Sequence, residues 1–354
     1  MTIPYSLEMN ALKVLAAGDL FVLNRLLVEA LRAGVERELD ITTIELPWPV
    51  EPFGRVAEVD EASGSEERMI DAVRGVEVVV TQMAPLTARV LAAADALRMV
   101  AVTRGGPVNV NVDAATKRGV AVCFAPGRNA PAAAEYAVGL LLAAARRIPE
   151  AHDTLAAGVW RGDFYAYDEC GLEVDGSTVG LVGFGAIGRR VVGALAAMGA
   201  EVLVYDPFVD AADVERAGGR VAGLDELLER SLMVSLHARL TPETRGMIGA
   251  AELARMPRGG VLVNTARGGL LDYDALCDAL ESGRLSGAAL DVYAEEPILA
   301  GSRLLTAPRL VLSPHIAGAT QQTAQRAARI AAAEVGRYAR GERLLNVANR
   351  EALP

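Results

Sequence analysis

Cysteine is scarce in this chain. Its 354 residues hold three, Cys123, Cys170 and Cys277, with no CxxC pair. That is too few for a disulfide framework or a tetrahedral zinc cage. Lysine is scarcer: with only Lys13 and Lys117, 33 of the 35 basic residues are arginine, a coding bias without functional content. Positive charge is in deficit overall, with 45 acidic side chains giving a net charge of −10. This excludes the clustered basic footprint of a nucleic-acid binder, and an anionic membrane surface would repel the chain rather than hold it. Long apolar runs are missing as well. The longest, from Tyr136 to Ala145, has ten residues, where a membrane helix needs roughly 20. No basic-then-apolar leader opens the chain, and there is neither an internal repeat nor a low-complexity tract.

What remains is 52% hydrophobic and 23% charged, the composition of a soluble globular protein. Its length is that of about two domains. Glycine, at 35 residues, is above its usual share, which points to tight turns and close backbone approaches. The expectation is a metal-free cytoplasmic protein of a reducing compartment, with neither nucleic acid nor membrane as partner.

Short β-branched runs alternate with helical spacing along the chain. Strands are expected over 12–17, 41–46, 76–81, 99–103 and 120–124, and helices over 21–33, 66–74, 87–94 and 113–118. Such alternation implies βαβ units and a parallel sheet. One long helix is expected over 131–157, with Asn129 as N-cap and Pro131 in its first turn. A second series follows, with six strands over 178–182, 201–205, 232–237, 260–264, 287–292 and 309–313, and then a last helix over 321–340. That helix comes after the second sheet is complete, so it is expected to return to the first domain. The fold class is α/β, with two doubly wound parallel sheets.

The first chemical motif is Gly183-Phe184-Gly185-Ala186-Ile187-Gly188. GxGxxG alone is weak, but here it directly follows one strand and opens a helix. Gly183 permits the tight turn, Gly185 lets the backbone approach a pyrophosphate, and Gly188 lets helix and strand pack closely. The helix N-terminus offers N–H groups to the anion. The next strand ends in Asp206, 18 residues beyond Gly188. This is close to the ~20-residue spacing of an acid that binds the adenosine ribose. No arginine follows it until Arg216, so NAD is expected rather than NADP. The plainer reading is an ordinary strand–turn–helix with Asp206 capping a turn.

A second constellation lies at the ends of later strands. Arg267 follows the strand over 260–264, Glu296 follows that over 287–292, and His315 follows that over 309–313. Hydride transfer to a 2-oxo acid needs these three functions. A guanidinium fork fixes the carboxylate, an imidazole gives or takes a proton near neutral pH, and a carboxylate orients that imidazole. Glu295 rivals Glu296, but neighbouring side chains point in different directions, so only one can serve. His152 reads as a surface residue and His237 as a cofactor-rim group.

With these motifs in order, the chain resembles the NAD-dependent D-2-hydroxyacid dehydrogenase family over about residues 76–347. The carrying residues are Gly183 to Gly188 with Asp206, Asn264-Thr265-Ala266-Arg267-Gly268-Gly269, Asp291-Val292-Tyr293-Ala294-Glu295-Glu296-Pro297, and Ser313-Pro314-His315-Ile316-Ala317-Gly318-Ala319-Thr320. The resemblance implies Arg267, Glu296 and His315 as catalytic residues. It implies NAD contacts at Gly183, Gly185, Ala186, Ile187, Gly188, Asp206, His237, Thr265, Ala266, Asp291 and Gly318, with Asp291 at the nicotinamide carboxamide. It implies a Rossmann-type cofactor domain over 123–318, and a flavodoxin-like substrate domain from 1–122 and 319–354.

Substrate choice is expected at Arg104, Gly105 and Gly106, where the family presents backbone N–H groups to a carboxylate. Here Pro107 removes one N–H, Val108 and Asn111 replace the usual acids, and Arg104 stands where a small residue is common. Thr81-Gln82 stands where phosphoglycerate-type members often carry Arg-Ser. Arg104 either selects a charged or polyhydroxy tail or holds the loop. A short form without a regulatory domain and a homodimer are implied, the helix with the 136–145 run being a candidate contact. A cofactor-sensing corepressor of the same fold and an S-adenosylmethionine-dependent methyltransferase are the alternatives.

Overall fold

The structure, a computed structural model, describes residues 11–49 and 54–352; the first ten residues, read above for a leader, lie outside them. Two compact units emerge, one from Met1–Asn129 and Ala319–Pro354, the other from Ala130–Gly318. The first break thus falls after residue 129 rather than after 122, because the helix that begins at Ala130 packs on the second unit's sheet.

Unit 1 is built on five parallel strands: β1 (Leu12–Gly18), β2 (Leu39–Glu45), β3 (Val78–Thr81), β4 (Met99–Val102) and β5 (Ala121–Cys123), in the order β2-β1-β3-β4-β5. This is the flavodoxin-like order. β3 and β4 are buried along their whole length, as befits strands covered on both faces. The crossovers include α1 (Asn24–Gly34), α2 (Glu66–Ala72), α3 (Ala88–Ala93) and α4 (Val112–Lys117). Ser65, Thr87 and Asn111 accept backbone N–H bonds at the starts of α2, α3 and α4, each removing an orphan donor. α1 begins three residues later than its spacing predicts. Asp19 Oδ1 accepts from Phe21 N and Val22 N, both at 2.8 Å, and folds those residues into a turn instead.

Unit 2 opens with two helices, α5 (Ala130–Ala145) and α6 (Ile148–Ala156), where the sequence predicts one. Pro149 has no N–H for the Ala145 carbonyl, which accepts from Leu172 N at 2.9 Å instead. Arg147 takes a left-handed conformation, φ 52°, at the break. The elements that follow are β6 (Thr178–Val182), α7 (Gly188–Ala197), β7 (Glu201–Tyr205), α8 (Ala211–Arg216), β8 (Gly219–Val221), α9 (Leu224–Arg230), β9 (Met233–Leu236), α10 (Ala250–Arg255), β10 (Gly260–Asn264), α11 (Tyr273–Glu281), β11 (Leu285–Leu290) and β12 (Leu310–Leu312).

The seven strands run in the order β12-β11-β10-β9-β6-β7-β8, a Rossmann order whose direction of progression reverses between β6 and β9. Six strands were expected. β8 is a three-residue edge strand of Gly, Arg and Val with an exposed Val221, which leaves no alternation to read. One face packs α5 and α7 through Leu141, Val191 and Leu195; the other packs α9 to α11 through Leu227, Leu253 and Leu276.

The chain returns to unit 1 as α12 (Gln321–Ala339). Its alanine face, with Ala324, Ala328 and Ala331, lies in the core that α1 also lines. The two helices approach so closely that a Cβ on Gly336 would stand 2.3 Å from the Gly34 carbonyl oxygen. Buried Glu334 then accepts from Leu345 N and Asn346 Nδ2, both at 3.0 Å, while Asn349 Oδ1 accepts from Val122 N at 2.8 Å. These bonds tie the C-terminal segment beside β5.

Candidate active site

The glycine turn follows β6 at the point where the strand order of unit 2 reverses. Gly183 has φ +102°, and a Cβ there would lie 2.5 Å from Ala238 N, so the turn needs glycine. A Cβ on Gly188 would stand 2.3 Å from the Gly183 carbonyl oxygen. Gly185 is the opposite case: it is exposed, with nothing within 4 Å of its Cβ position, which leaves the backbone open to a ligand. Ala186 is exposed and Ile187 partly so, and no side chain caps α7. Asp206, at the end of β7, accepts from Phe184 N at 2.8 Å through Oδ2 and from Phe208 N at 3.0 Å through Oδ1. The acid is thereby locked to the glycine turn with further lone pairs to offer. An open glycine approach, an uncapped helix start and a fixed carboxylate beyond the next strand are what a dinucleotide requires.

The neighbouring strands contribute the rest. His237 follows β9, with Nε2 2.9 Å from Ser235 Oγ; loss of hydration pushes its pKa down to about 4, so the ring is neutral at pH 7. Beyond β10, buried Asn264 accepts from Ala266 N and donates to the Arg267 carbonyl, both at 3.0 Å. This clamps the Thr265-Ala266-Arg267 turn. Thr265 is buried, Ala266 is partly exposed, and Arg267 projects into solvent with Nη1 2.7 Å from the Ala266 carbonyl. A Cβ on Gly268 would stand 2.0 Å from the Tyr293 backbone, so glycine lets the turns after β10 and β11 touch.

His315 Nδ1 and Glu296 Oε2 stand 2.8 Å apart. Burial alone would raise the Glu296 carboxyl. The bond and charge of His315, the Tyr293 N–H and the Arg267 charge outweigh it and hold its pKa below the usual range. An ionised carboxylate only accepts, so Nδ1 carries the hydrogen of that bond and Nε2 is left for other partners. The His315 side chain is half exposed, at 50%, and its backbone is left-handed, φ 53°. Glu295, the rival, points to solvent.

Asp291 is fully buried and accepts from Ser313 Oγ at 2.6 Å, Ile316 N at 2.9 Å and Ala317 N at 2.8 Å. It holds the loop that carries His315 and runs on to partly buried Gly318. Tyr293 works beside it, its hydroxyl donating to the Ser313 carbonyl at 2.9 Å. Sequence reasoning assigned no role to Asn264 or Tyr293; a polar residue closing a buried apolar strand was the available signal. In unit 1, Gly105 and Gly106 have open space at their Cβ positions, while Arg104 is ion-paired to Glu61 and mostly buried.

A doubly wound sheet with this turn at its switch point defines a dinucleotide-binding α/β protein. Residues 138–317 match the family described as D-isomer specific 2-hydroxyacid dehydrogenase, NAD binding domain. The D-3-phosphoglycerate dehydrogenase of Mycobacterium leprae is 41% identical over 280 residues, 78% of this chain and 52% of that protein. The glyoxylate reductase of Korarchaeum cryptofilum is 39% identical over 83% of this chain and 89% of its own. A glyoxylate reductase structure from Paecilomyes thermophila superposes with a TM-score of 0.74 at 29% identity, covering 97% of this chain and all of that one. The chain belongs to the D-isomer specific 2-hydroxyacid dehydrogenase family, and unit 2 carries its NAD-binding domain. It spans about half the length of the phosphoglycerate dehydrogenases it matches. The relatives named are dehydrogenases and reductases, which lends no support to a non-catalytic alternative.

Proposed function

We propose that this protein interconverts a D-2-hydroxy acid and its 2-oxo acid with NAD(H), the substrate being of the phosphoglycerate or sugar-acid type. The observation that carries the reading is the 2.8 Å His315–Glu296 pair. Its members follow β11 and β12, and β11 lies next to β10, which Arg267 follows, within the NAD-binding domain. Gly183, Gly185, Ala186, Ile187 and Gly188 with Asp206 hold the dinucleotide, and His237, Thr265, Ala266 and Gly318 line its course. When bound, NAD supplies the hydride acceptor or donor at its nicotinamide ring. Arg267 binds the substrate carboxylate and polarises the carbonyl oxygen. His315 Nε2 gives the proton to that oxygen in reduction and takes it in oxidation. Glu296 orients the ring through Nδ1 and balances its charge. Gly105 and Gly106 offer backbone N–H groups to the substrate, and unit 1, Met1–Asn129 with Ala319–Pro354, serves as the substrate domain.

Two finer readings accompany this one. Ile148, Leu155, Val159, Trp160, Tyr165 and Tyr167 are all exposed along one stretch, which favours a second copy of the chain as partner; light scattering at twice the chain mass would support a homodimer, and a single mass would oppose it. Free Cys123, Cys170 and Cys277 favour the reducing cytoplasm; recovery in an exported fraction would oppose that. The reaction itself is tested by a 340 nm absorbance screen of 2-oxo acids with NADH. Loss of absorbance with at least one acid is expected, and no loss with any would overturn the reading.

A further inference from the structure

Two adjacent glycines lose more backbone freedom on ordering than other residues do. A turn that presents the N–H groups of Gly105 and Gly106 must therefore be held at both ends. The unit 1 sheet holds part of it, with Thr103 N donating to the Thr81 carbonyl at 2.8 Å and Ala125 N to the Arg104 carbonyl at 2.7 Å. The rest comes from residues 54–62, outside the sheet. That segment closes on itself: Val56 and Val59 exchange backbone bonds of 3.0 and 3.1 Å, and Ala62 N donates to the Gly54 carbonyl at 3.0 Å. Glu58 fixes its tip. One carboxylate oxygen, Oε1, accepts from Ala88 N at 2.6 Å and from Asn111 Nδ2 at 2.8 Å, and these bonds hold the carboxyl below its usual range. The segment then reaches both sides of the glycine turn. On one, the Glu61 carboxylate pairs with the Arg104 guanidinium, whose Nη1 also stands 3.5 Å from the Glu61 carbonyl oxygen. On the other, Asp60 N donates to the Val108 carbonyl at 3.1 Å. Ala57 and Glu61 take left-handed backbone, φ 51° and 48°, which persists only where the surroundings impose it.

We propose that Glu61 and Arg104 are positioning residues, whose ion pair straps residues 54–62 to the Gly105–Gly106 turn and so presents its N–H groups to the substrate carboxylate. This rests on the substrate reading above, and it decides between the two roles that the sequence leaves open for Arg104. The Arg104 side chain is only 15% exposed, against 48% for Glu61. A guanidinium so shielded, and committed to a carboxylate of its own chain, holds the turn rather than selecting a tail. Pro107 stiffens the far side of the same turn, since its ring fixes φ. A turn ordered beforehand spares the substrate the cost of ordering it. The strap therefore acts on affinity, and the chemical step is left to Arg267, Glu296 and His315.

Glu61→Gln separates the two roles by the sign of its effect. KM is measured for glyoxylate, which has no tail, and for the best acid of the absorbance screen. A strap predicts that KM rises for both by about fivefold, the upper end for an ion pair with one exposed partner. It also predicts kcat within about twofold of the parent, and NADH titrating as before. An Arg104 that touched a substrate tail would instead be freed by this change, so KM would fall for the tailed acid and stay put for glyoxylate. Arg104→Gln should match Glu61→Gln, and the double variant should be no worse than either, because all three lose one interaction. Hydrogen exchange on the full chain reads the strap without substrate: amides over 104–110 should exchange faster in Glu61→Gln, and those of β4 as in the parent. If Arg104→Gln fails to fold, Glu61→Gln decides alone. A KM for Glu61→Gln at or below the parent's, additive losses in the double variant, or unchanged exchange over 104–110 would overturn the proposal. Faster exchange in a protein that turns over none of the acids would sink the catalytic reading and leave the strap standing.

Discussion

In the proposed reading, Asp206 sets the choice between the two nicotinamide dinucleotides. Its oxygens are fixed by Phe184 N and Phe208 N, so the carboxylate accepts from ribose hydroxyls and repels a 2′-phosphate in the same place. Losing a charge-assisted hydrogen bond costs about 1.5–3 kcal/mol. Asp206→Ala should therefore weaken NAD roughly tenfold or more while leaving NADP unharmed; fluorescence titrations that leave the affinity ratio unaltered would contradict this assignment. Its place beside the glycine turn was legible because the spacing between them is fixed by one helix and one strand. Asn264 and Tyr293 were not legible. Each acts through backbone groups of loops whose paths no pattern in the sequence specifies, and the three donors that Asp291 gathers inside the protein were hidden for the same reason.

Elements were legible where burial on both faces imposes a continuous apolar run, as in Val78–Thr81 and Gly260–Asn264. They were missed where a tertiary contact overrides the local pattern. The carbonyl of Ala145 turns to Leu172 N, so α5 and α6 part where an apolar run suggested continuity. β8 exists because β7 offers it a partner, with no alternation of its own. Close packing of α12 on α1 is a further feature that composition hides. The 2.3 Å gap at Gly336 leaves no room for a methyl group, and overpacking of this kind typically costs about 1–3 kcal/mol. Gly336→Ala is expected to lower the unfolding free energy measured by urea denaturation by that amount. A helix-propensity gain with no loss of stability would show that the two helices are not held this tightly.

For the molecule as a whole, stability should depend on pH through His237. The ring is neutral when folded, with a pKa near 4 against 6.5 for an ordinary histidine. The unfolded chain therefore binds more protons between about pH 6.5 and 4, and stability rises with pH across that window. The contribution is complete above pH 6.5 and lost on descent towards 4. Discounted for the partial exposure of the residue, the loss is about 1–2 kcal/mol by pH 5. Urea denaturation should show His237→Asn losing less stability than the parent between pH 7 and 5; parallel losses would mean that His237 is not held neutral.

The proposed function depends on Arg267, Glu296 and His315 leaving β10, β11 and β12, three neighbouring strands of one sheet. The most direct test is the turnover of His315→Gln with the best 2-oxo acid from the screen, together with its affinity for NADH. A positioned acid–base contributes about 10²–10⁴-fold, so kcat should fall by that factor while NADH binds about as tightly as before. A rate within a few-fold of the parent would show that the His315–Glu296 pair does not carry the proton.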